Sequence, residues 1–358
     1  MNRNLNSVHP KTFAVWHPDA QVRNTSSSGG AFTLLAEEVI RRGGIVFGAA
    51  WISPEEVSIV KITDGFELNR LRGSKYVAAT LKNVYSSVKE SLEQGVEVLY
   101  SGTPCQVAGL YQFLGKDYSN LLTVDVLCHG APNARVWKKY VRHLNELYRD
   151  NIKSINFRDK RLGCECNLLL VLTLESGKEK IVLGKHNTYY YGFINNMFMR
   201  KCCMQCKFNL LPRVADFSLA DFRGLGDRYI FEYESEKPKG FTGVLVNNER
   251  ASTFLKRLDL TTWKERPFEE LSLTQSVLRE NAKPHPRYFD FWKEFETQTY
   301  SELEQKYLRP PKGYLRYILL RRILRPRLFM LLGTIYKRIR GLRTTSFLPL
   351  SSRNENKL

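Results

Sequence analysis

Long apolar runs are missing from this chain. The longest near the C-terminus, residues 328–336, is nine residues even with Gly333 and Thr334 counted, whereas a membrane-spanning helix needs about 20. The opening MNRNLNSVHPKTFAVWH holds no continuous apolar segment of the kind that marks a secretory signal. Low-complexity tracts and repeats of solenoid length are lacking as well. These absences lead us to expect a cytoplasmic body. Cysteine is scarce and odd in number: Cys105, Cys128, Cys164, Cys166, Cys202, Cys203 and Cys206. Without an export signal, an odd set of thiols argues against a disulfide framework and for metal or redox use.

What is present is ordinary for a folded protein, with 43% apolar, 25% charged and 12% aromatic residues. A chain of 358 residues can bury one large core or two smaller ones. The net charge of +19 is uneven, because fourteen Lys and Arg against the single acid Glu355 fall from Lys306 onward. Basic character therefore belongs largely to a tail.

Periodicity predicts an alternation. TSSSGG (25–30) precedes a helical pattern, AFTLLAEEVIRRG, that Gly43 and Gly44 end. GIVFGAAW (44–51), VEVLY (96–100) and NLLTVDVLC (120–128) read as buried strands, separated by helices over 82–95 and 105–114 and followed by one over 133–149. This order implies an α/β fold with a mostly parallel sheet flanked by helices. From residue 152 the pattern changes to a hairpin around Glu175-Ser176-Gly177-Lys178, the alternating VADFSLADF (214–222) and a last strand–helix pair. We read this as a continuous α+β lobe, and divide the chain at 1–82, 83–256, 257–305 and 306–358.

Ligands of open α/β sheets sit at the carboxyl ends of strands. Cys105 and Cys128 both fall there, and Cys105 also starts a helix, where free N–H groups favour a thiolate. In CCMQC, Cys203 and Cys206 form a CxxC, which lets one turn present two sulfurs to one centre. Zinc and an iron–sulfur cluster meet a four-thiol count equally well. Three loops carry hydroxyls, glycines or a lysine suited to a phosphorylated cofactor: TSSSGG, GSKY (73–76) and SGTP (101–104). TSSSGG is neither a Walker A nor a GxGxxG element, and a serine cap with a glycine turn is its plain structural reading. His129, next to Cys128, reads as a core or supporting histidine, and Asp216 and Asp221 are five apart, out of phase for one strand face.

Taken in order, SSSGGAF, GIVFGAAW, RGSKYV, SGTPCQVAGL, VDVLCHG, FRDK, CMQCKF and ADFSLADF resemble the coenzyme F420 hydrogenase/dehydrogenase beta subunit family. The likeness runs from about Phe13 to Lys256. It implies FAD, a 4Fe–4S cluster and electron exchange among cluster, flavin and either a hydride carrier such as coenzyme F420 or an organic substrate. The cluster ligands it implies are Cys105, Cys128, Cys203 and Cys206. The flavin would be lined by Ser27, Ser28, Gly29, Gly30, Gly73, Ser74, Lys75, Ser101 and Thr103, with Lys75 near the pyrimidine ring. The ferredoxin module of many members, with its CxxCxxCxxxCP, is not seen before Phe13, so either electrons come from or go to a separate donor or acceptor protein, or the chain works with its single cluster. Arg223 and Cys164 stand where members carry tryptophan-bearing motifs.

The expectation is therefore an iron–sulfur flavoprotein oxidoreductase, with no catalytic residue assigned. Its rivals are a non-redox, metal-stabilised accessory protein of a membrane-associated biosynthetic assembly, such as one for polysaccharide, and a transferase using Cys105 as nucleophile. Residues 314–343 mix Leu, Ile and Phe with Arg at helical spacing, broken by Pro326 and Gly333. That pattern suits peripheral contact with anionic lipid on the inner face of the cell membrane, or a helix docked on the body. Nucleic acid is not expected, because phosphate grooves do not ask for interleaved leucines.

Overall fold

The computed structural model describes residues 10–164, 169–184 and 187–309. In chain order, β1 (Lys11–Val15) leads to α1 (Ala20–Thr25), the serine-glycine loop and α2 (Ala31–Arg41). β2 (Ile45–Ser53) and β3 (Glu56–Ile62) pair as a hairpin, and a 3-10 turn over Gly65–Leu71 follows. Then come α3 (Val84–Glu93), β4 (Val98–Gly102), α4 (Pro104–Leu114), β5 (Leu121–Val126) and α5 (Ala134–Tyr148). β6 (Ile152–Asn156), β7 (Leu170–Leu174) and β8 (Glu179–Val182) build a separate antiparallel sheet. After α6 (Thr188–Ile194), a 3-10 turn over Lys201–Gln205 carries the CxxC. β9 (Phe217–Asp221), β10 (Thr242–Val246), α7 (Glu249–Leu255) and β11 (Trp263–Arg266) complete the main sheet.

That sheet has eight strands in the order β11-β1-β10-β9-β5-β4-β2-β3. Its middle, β9-β5-β4-β2, is parallel, and antiparallel pairs close it on both sides. The strands thus come from residues 1–82, 83–256 and 257–305 alike. Alternation explains the continuous apolar strands. Ile45, Phe47, Val98 and Tyr100 pack on one face with α3 and α4, while Val46, Leu99, Leu122 and Val124 pack on the other with α2 and α7. Successive side chains point to opposite faces, so a strand covered on both sides has no polar phase. The second sheet, α5, α6 and the aromatic residues Phe291, Phe295, Tyr300 and Tyr307 form a further core rich in ring contacts.

β1 and β3 were not expected from the sequence, where this region reads as loop around a single strand. β1 is only KTFAV, and its partners β10 and β11 lie more than 200 residues away, so no hairpin signal marks it. The parallel arrangement sends the carboxyl ends of β2, β4, β5 and β9 to one edge, to which β1 also brings its end. The basic segment from Pro310 onward and Cys166 lie outside the described residues.

Candidate functional site

The edge formed by the ends of β4, β5 and β9 collects the thiols. SGTPC turns from β4 into α4, with Thr103 as the cap residue and Pro104 in the first turn, where its missing N–H costs nothing. The Gln106 side chain accepts from the Thr103 N–H at 2.9 Å, which fixes the turn. Cys105 is exposed there, its Sγ 3.2 Å from the Thr103 hydroxyl. Cys128 follows β5 by two residues, after the Leu127 N–H bonds the Leu219 carbonyl of β9 at 2.8 Å. Its own carbonyl accepts from Asn209 Nδ2 at 2.6 Å. Cys203 lies in the 3-10 turn and accepts from the Ala131 N–H at 3.3 Å. Cys206 ends that turn.

Electrostatics ties these positions together. Burial pushes the Cys128 thiol up to about 12, and Cys203, Cys105 and Cys206 add to the shift, while the Gly130 amide opposes it. Cys203 is pushed up to about 11 by burial, with Cys202 and Cys105 contributing against the Ala131 hydrogen bond. Three segments far apart in sequence therefore bring Cys105, Cys203 and Cys206 within electrostatic reach of Cys128. Among the described residues, no group of three or more His, Cys, Asp or Glu side chains is drawn tightly enough to hold one metal ion.

Sequence reasoning missed what holds the edge in place. Arg213, buried with its whole side chain, pairs with the equally buried Asp125 of β5 at 2.8 Å. It also donates to Ser218 Oγ at 3.0 Å, the Asn209 carbonyl at 2.6 Å and the Val126 carbonyl at 3.1 Å. Asn209 in turn reaches Cys128, so one guanidinium joins the segment after the CxxC to the strand end that carries Cys128. The available signal was an arginine inside an otherwise apolar stretch, LLPRVA. His129 is half-buried against Phe193, ring centroids 5.3 Å apart, and its partial burial lowers its pKa. Asp216 bonds the Thr123 amide and hydroxyl, both at 2.7 Å, far from Asp221 at the other end of β9.

The hydroxyl and glycine loops are used differently from one another. Ser27 Oγ and Ser74 Oγ meet at 2.8 Å, which brings the TSSSGG and GSKY loops together. Ser28 Oγ donates to the Phe241 carbonyl at 2.5 Å. A Cβ at Gly29 would lie 2.0 Å from the Val15 carbonyl oxygen and 2.6 Å from the Thr242 nitrogen, so that glycine is packed against β1 and β10. Gly30, at φ +99°, starts α2. Lys75 donates to the carbonyls of Arg70, Leu71, Arg72 and Gly73 at 2.8–3.2 Å, closing the 3-10 turn, and burial lowers its pKa to about 7. Ser101 and Thr103 stay with Cys105 at the β4–α4 turn. Gly73, Ser74 and Thr25 line a cavity of roughly 660 Å³ together with Trp51, Phe66 and Arg72.

The FRDK motif joins the same edge. Arg158 pairs with Asp221 at 2.6 Å, and Lys160 donates to the Arg23 carbonyl at 2.7 Å, to that of Lys239 at 3.1 Å and to that of Ser28. Cys164 points its thiol at the Ser27 carbonyl, 3.6 Å away. These bonds staple the second sheet's loop to the serine-glycine loop.

A comparison with curated proteins finds no match. Among solved structures, the chain is similar to one from the F420-reducing NiFe hydrogenase complex of Methanosarcina barkeri, with a TM-score of 0.51 and 15% identity. The likeness covers 77% of this chain and 90% of that one, and at this identity it concerns the fold. A family model for the C-terminal part of the coenzyme F420 hydrogenase/dehydrogenase beta subunit matches residues 95–264, which span SGTPC, Cys128, the CxxC and the strands up to β11. Residues 95–264 thus match the family model for the C-terminal part of the coenzyme F420 hydrogenase/dehydrogenase beta subunit, and the solved structure shares the fold.

Proposed function

We propose that this chain is an iron–sulfur flavoprotein oxidoreductase. Cys105, Cys128, Cys203 and Cys206 would hold a 4Fe–4S cluster, and the cavity beside Thr25, Gly73 and Ser74 would take part of an FAD. One observation carries the reading: thiols from α4, the end of β5 and the CxxC turn gather on one sheet edge, with Cys105, Cys203 and Cys206 all within electrostatic reach of Cys128. Thiols placed only to fill a core have no reason to share an edge. The cavity's size falls in the range of cofactor sites, and Trp51 and Phe66 offer ring faces beside the Arg72 cation.

When bound, a cluster would supply one-electron chemistry and a flavin hydride chemistry. The chain's own residues do the rest. Thr103 orients the Cys105 sulfur, and the Gly130 and Ala131 amides donate to Cys128 and Cys203, partly offsetting thiolate charge. Burial of Cys128 excludes water from one side. Ser27, Ser74 and the carbonyl-capped Lys75 fix the loop that faces the cavity. A coenzyme F420-type carrier or an organic acceptor would meet the flavin from the open side, and a separate protein would exchange electrons with the cluster.

The test is anaerobic purification followed by an absorption spectrum and analysis of iron, sulfide and zinc. We expect flavin bands with about four irons per chain, and loss of iron in Cys128→Ser and Cys203→Ser. A colourless protein, with zinc or with no metal, overturns the assignment.

A further inference from the structure

The three segments that bring the thiols together are depleted in acids. Residues 98–116, 126–145 and 187–215 contain nine Lys and Arg and no Asp or Glu. With 36 acids among 358 residues, about seven would fall there at the chain's average frequency. Folding concentrates part of this charge around one groove. A cavity of roughly 500 Å³ is lined by Arg135, Arg200, Lys201 and Cys202, with Tyr288 and Trp292 among its walls. Cys202 adjoins Cys203, and both thiols are felt electrostatically by Tyr288, so the groove lies directly outside the thiol edge.

The cations on this rim are available. Arg200 and Lys201 are exposed, and neither pairs with a carboxylate among the described residues. Arg135 shares Glu296 with solvent, both side chains being more than half exposed. Lys138 and Lys207 are exposed nearby in sequence, and Phe208 and Leu210 add exposed apolar surface at 36% and 38%. The Tyr288 hydroxyl is bonded to the Met199 carbonyl at 3.0 Å, which keeps that wall rigid. Cationic rim, aromatic wall and a few apolar contacts, set beside the Cys202 and Cys203 thiols, have the make-up of a small interface that opens and closes quickly.

We propose that this groove and its rim are the docking surface for a small acidic electron-transfer protein. The proposal rests on the redox reading above and names the partner's chemistry and its landing site. One electron crosses at the contact, from the partner's reduced centre to the centre held by the thiols or in reverse, and no bond forms or breaks. Charge complementarity picks the occupant: carboxylates reach into a concave groove and pair with Arg200 and Lys201, raising the encounter rate at low salt. A lipid surface is too flat for the groove and would want more apolar surface than Phe208 and Leu210 provide.

The experiment immobilises the full chain and titrates it with an acidic ferredoxin at low and high ionic strength. Variants are Arg200→Glu with Lys201→Glu, and a control, Lys61→Glu with Lys256→Glu, that makes the same change in net charge elsewhere. The basic C-terminal segment is common to all, so differences report the groove. We expect the groove variant to bind at least tenfold more weakly at low salt, the difference shrinking at high salt, and the control to bind like the parent. Equal weakening in both variants, or unchanged binding in the groove variant, overturns the docking site. Iron and flavin are measured on the same preparations. If the chain holds both yet the groove variant binds normally, docking fails while the redox reading stands. If it holds neither but the groove variant alone loses the ferredoxin, docking stands and the redox reading fails.

Discussion

TSSSGG and SGTPC look alike as sequence: each is a Ser/Thr/Gly turn feeding an 11-residue helix, α2 in one case and α4 in the other. In the fold they part. Ser28 bonds Phe241, Gly29 sits against β1 and β10, and Lys160 caps the loop from outside, so most of TSSSGG is turned inward. SGTPC leaves its chemistry outward, with Cys105 exposed and within electrostatic reach of Cys128 and Cys203. The difference lies in position. The first loop crosses the antiparallel side of the sheet, where the Phe241 carbonyl and the Thr242 hydroxyl at the start of β10 are there to bond. The second ends a central parallel strand, where the sheet has nothing beyond it but the loops that follow β5 and β9. A turn motif states which backbone conformation is available; the neighbouring strand decides whether its polar groups are consumed or presented.

This contrast can be broken most sharply at the thiol edge. Arg213→Met would leave Asp125 buried and unpaired and release Asn209 from its tether. Loss of one partner of a buried pair costs about 3–5 kcal/mol, so we expect a large drop in the urea midpoint with iron loading lost as well. Arg213→Lys should recover part of the stability and less of the iron, because one ammonium cannot reach Asp125, Asn209, Ser218 and Val126 together. If stability falls but iron loading holds, Arg213 supports the fold without positioning the thiols.

A smaller effect should separate packing from presentation in TSSSGG. Gly29→Ala drives a methyl into backbone atoms of β1 and β10, and overpacking of this kind costs roughly 1–3 kcal/mol. Ser27→Ala loses one hydroxyl contact to Ser74, worth about 1 kcal/mol. Denaturation midpoints check both. A Ser27 effect larger than the Gly29 effect would invert the comparison.

A further effect is in pH. The folded pKa of Lys75 is lowered to about 7, and that of Lys160 to about 8, so the folded chain binds fewer protons than the unfolded one between those values and the ordinary lysine range. Stability should therefore rise as pH is raised from about 7 to 9. Urea midpoints at several pH values should show a rise that Lys75→Met flattens. A flat parent profile would mean the four carbonyls around Lys75 hold its ammonium charged.

Several elements were legible because their signal is local. Helices α2, α4 and α5 stand within a few residues of the expected ranges, marked by periodicity, Pro104 and flanking glycines. The strands of the parallel centre were legible from their unbroken apolar runs. β1 was not, since five residues with distant partners leave no periodic trace. FRDK stood out as a motif, yet nothing in it announces that Arg158 would meet Asp221 or that Lys160 would bind three carbonyls of other segments.

By itself the sequence determined the thiol types and their spacing, the alternation that makes a parallel sheet, and the glycine and serine turns where helices begin. Those properties depend on neighbours within a few residues. Only the tertiary structure decided that Cys105, Cys128, Cys203 and Cys206 share one edge, that Arg213 fastens it, and that Lys75 serves backbone carbonyls. Each of those outcomes needs strand order, and strand order comes from burying two faces of one sheet across the whole chain.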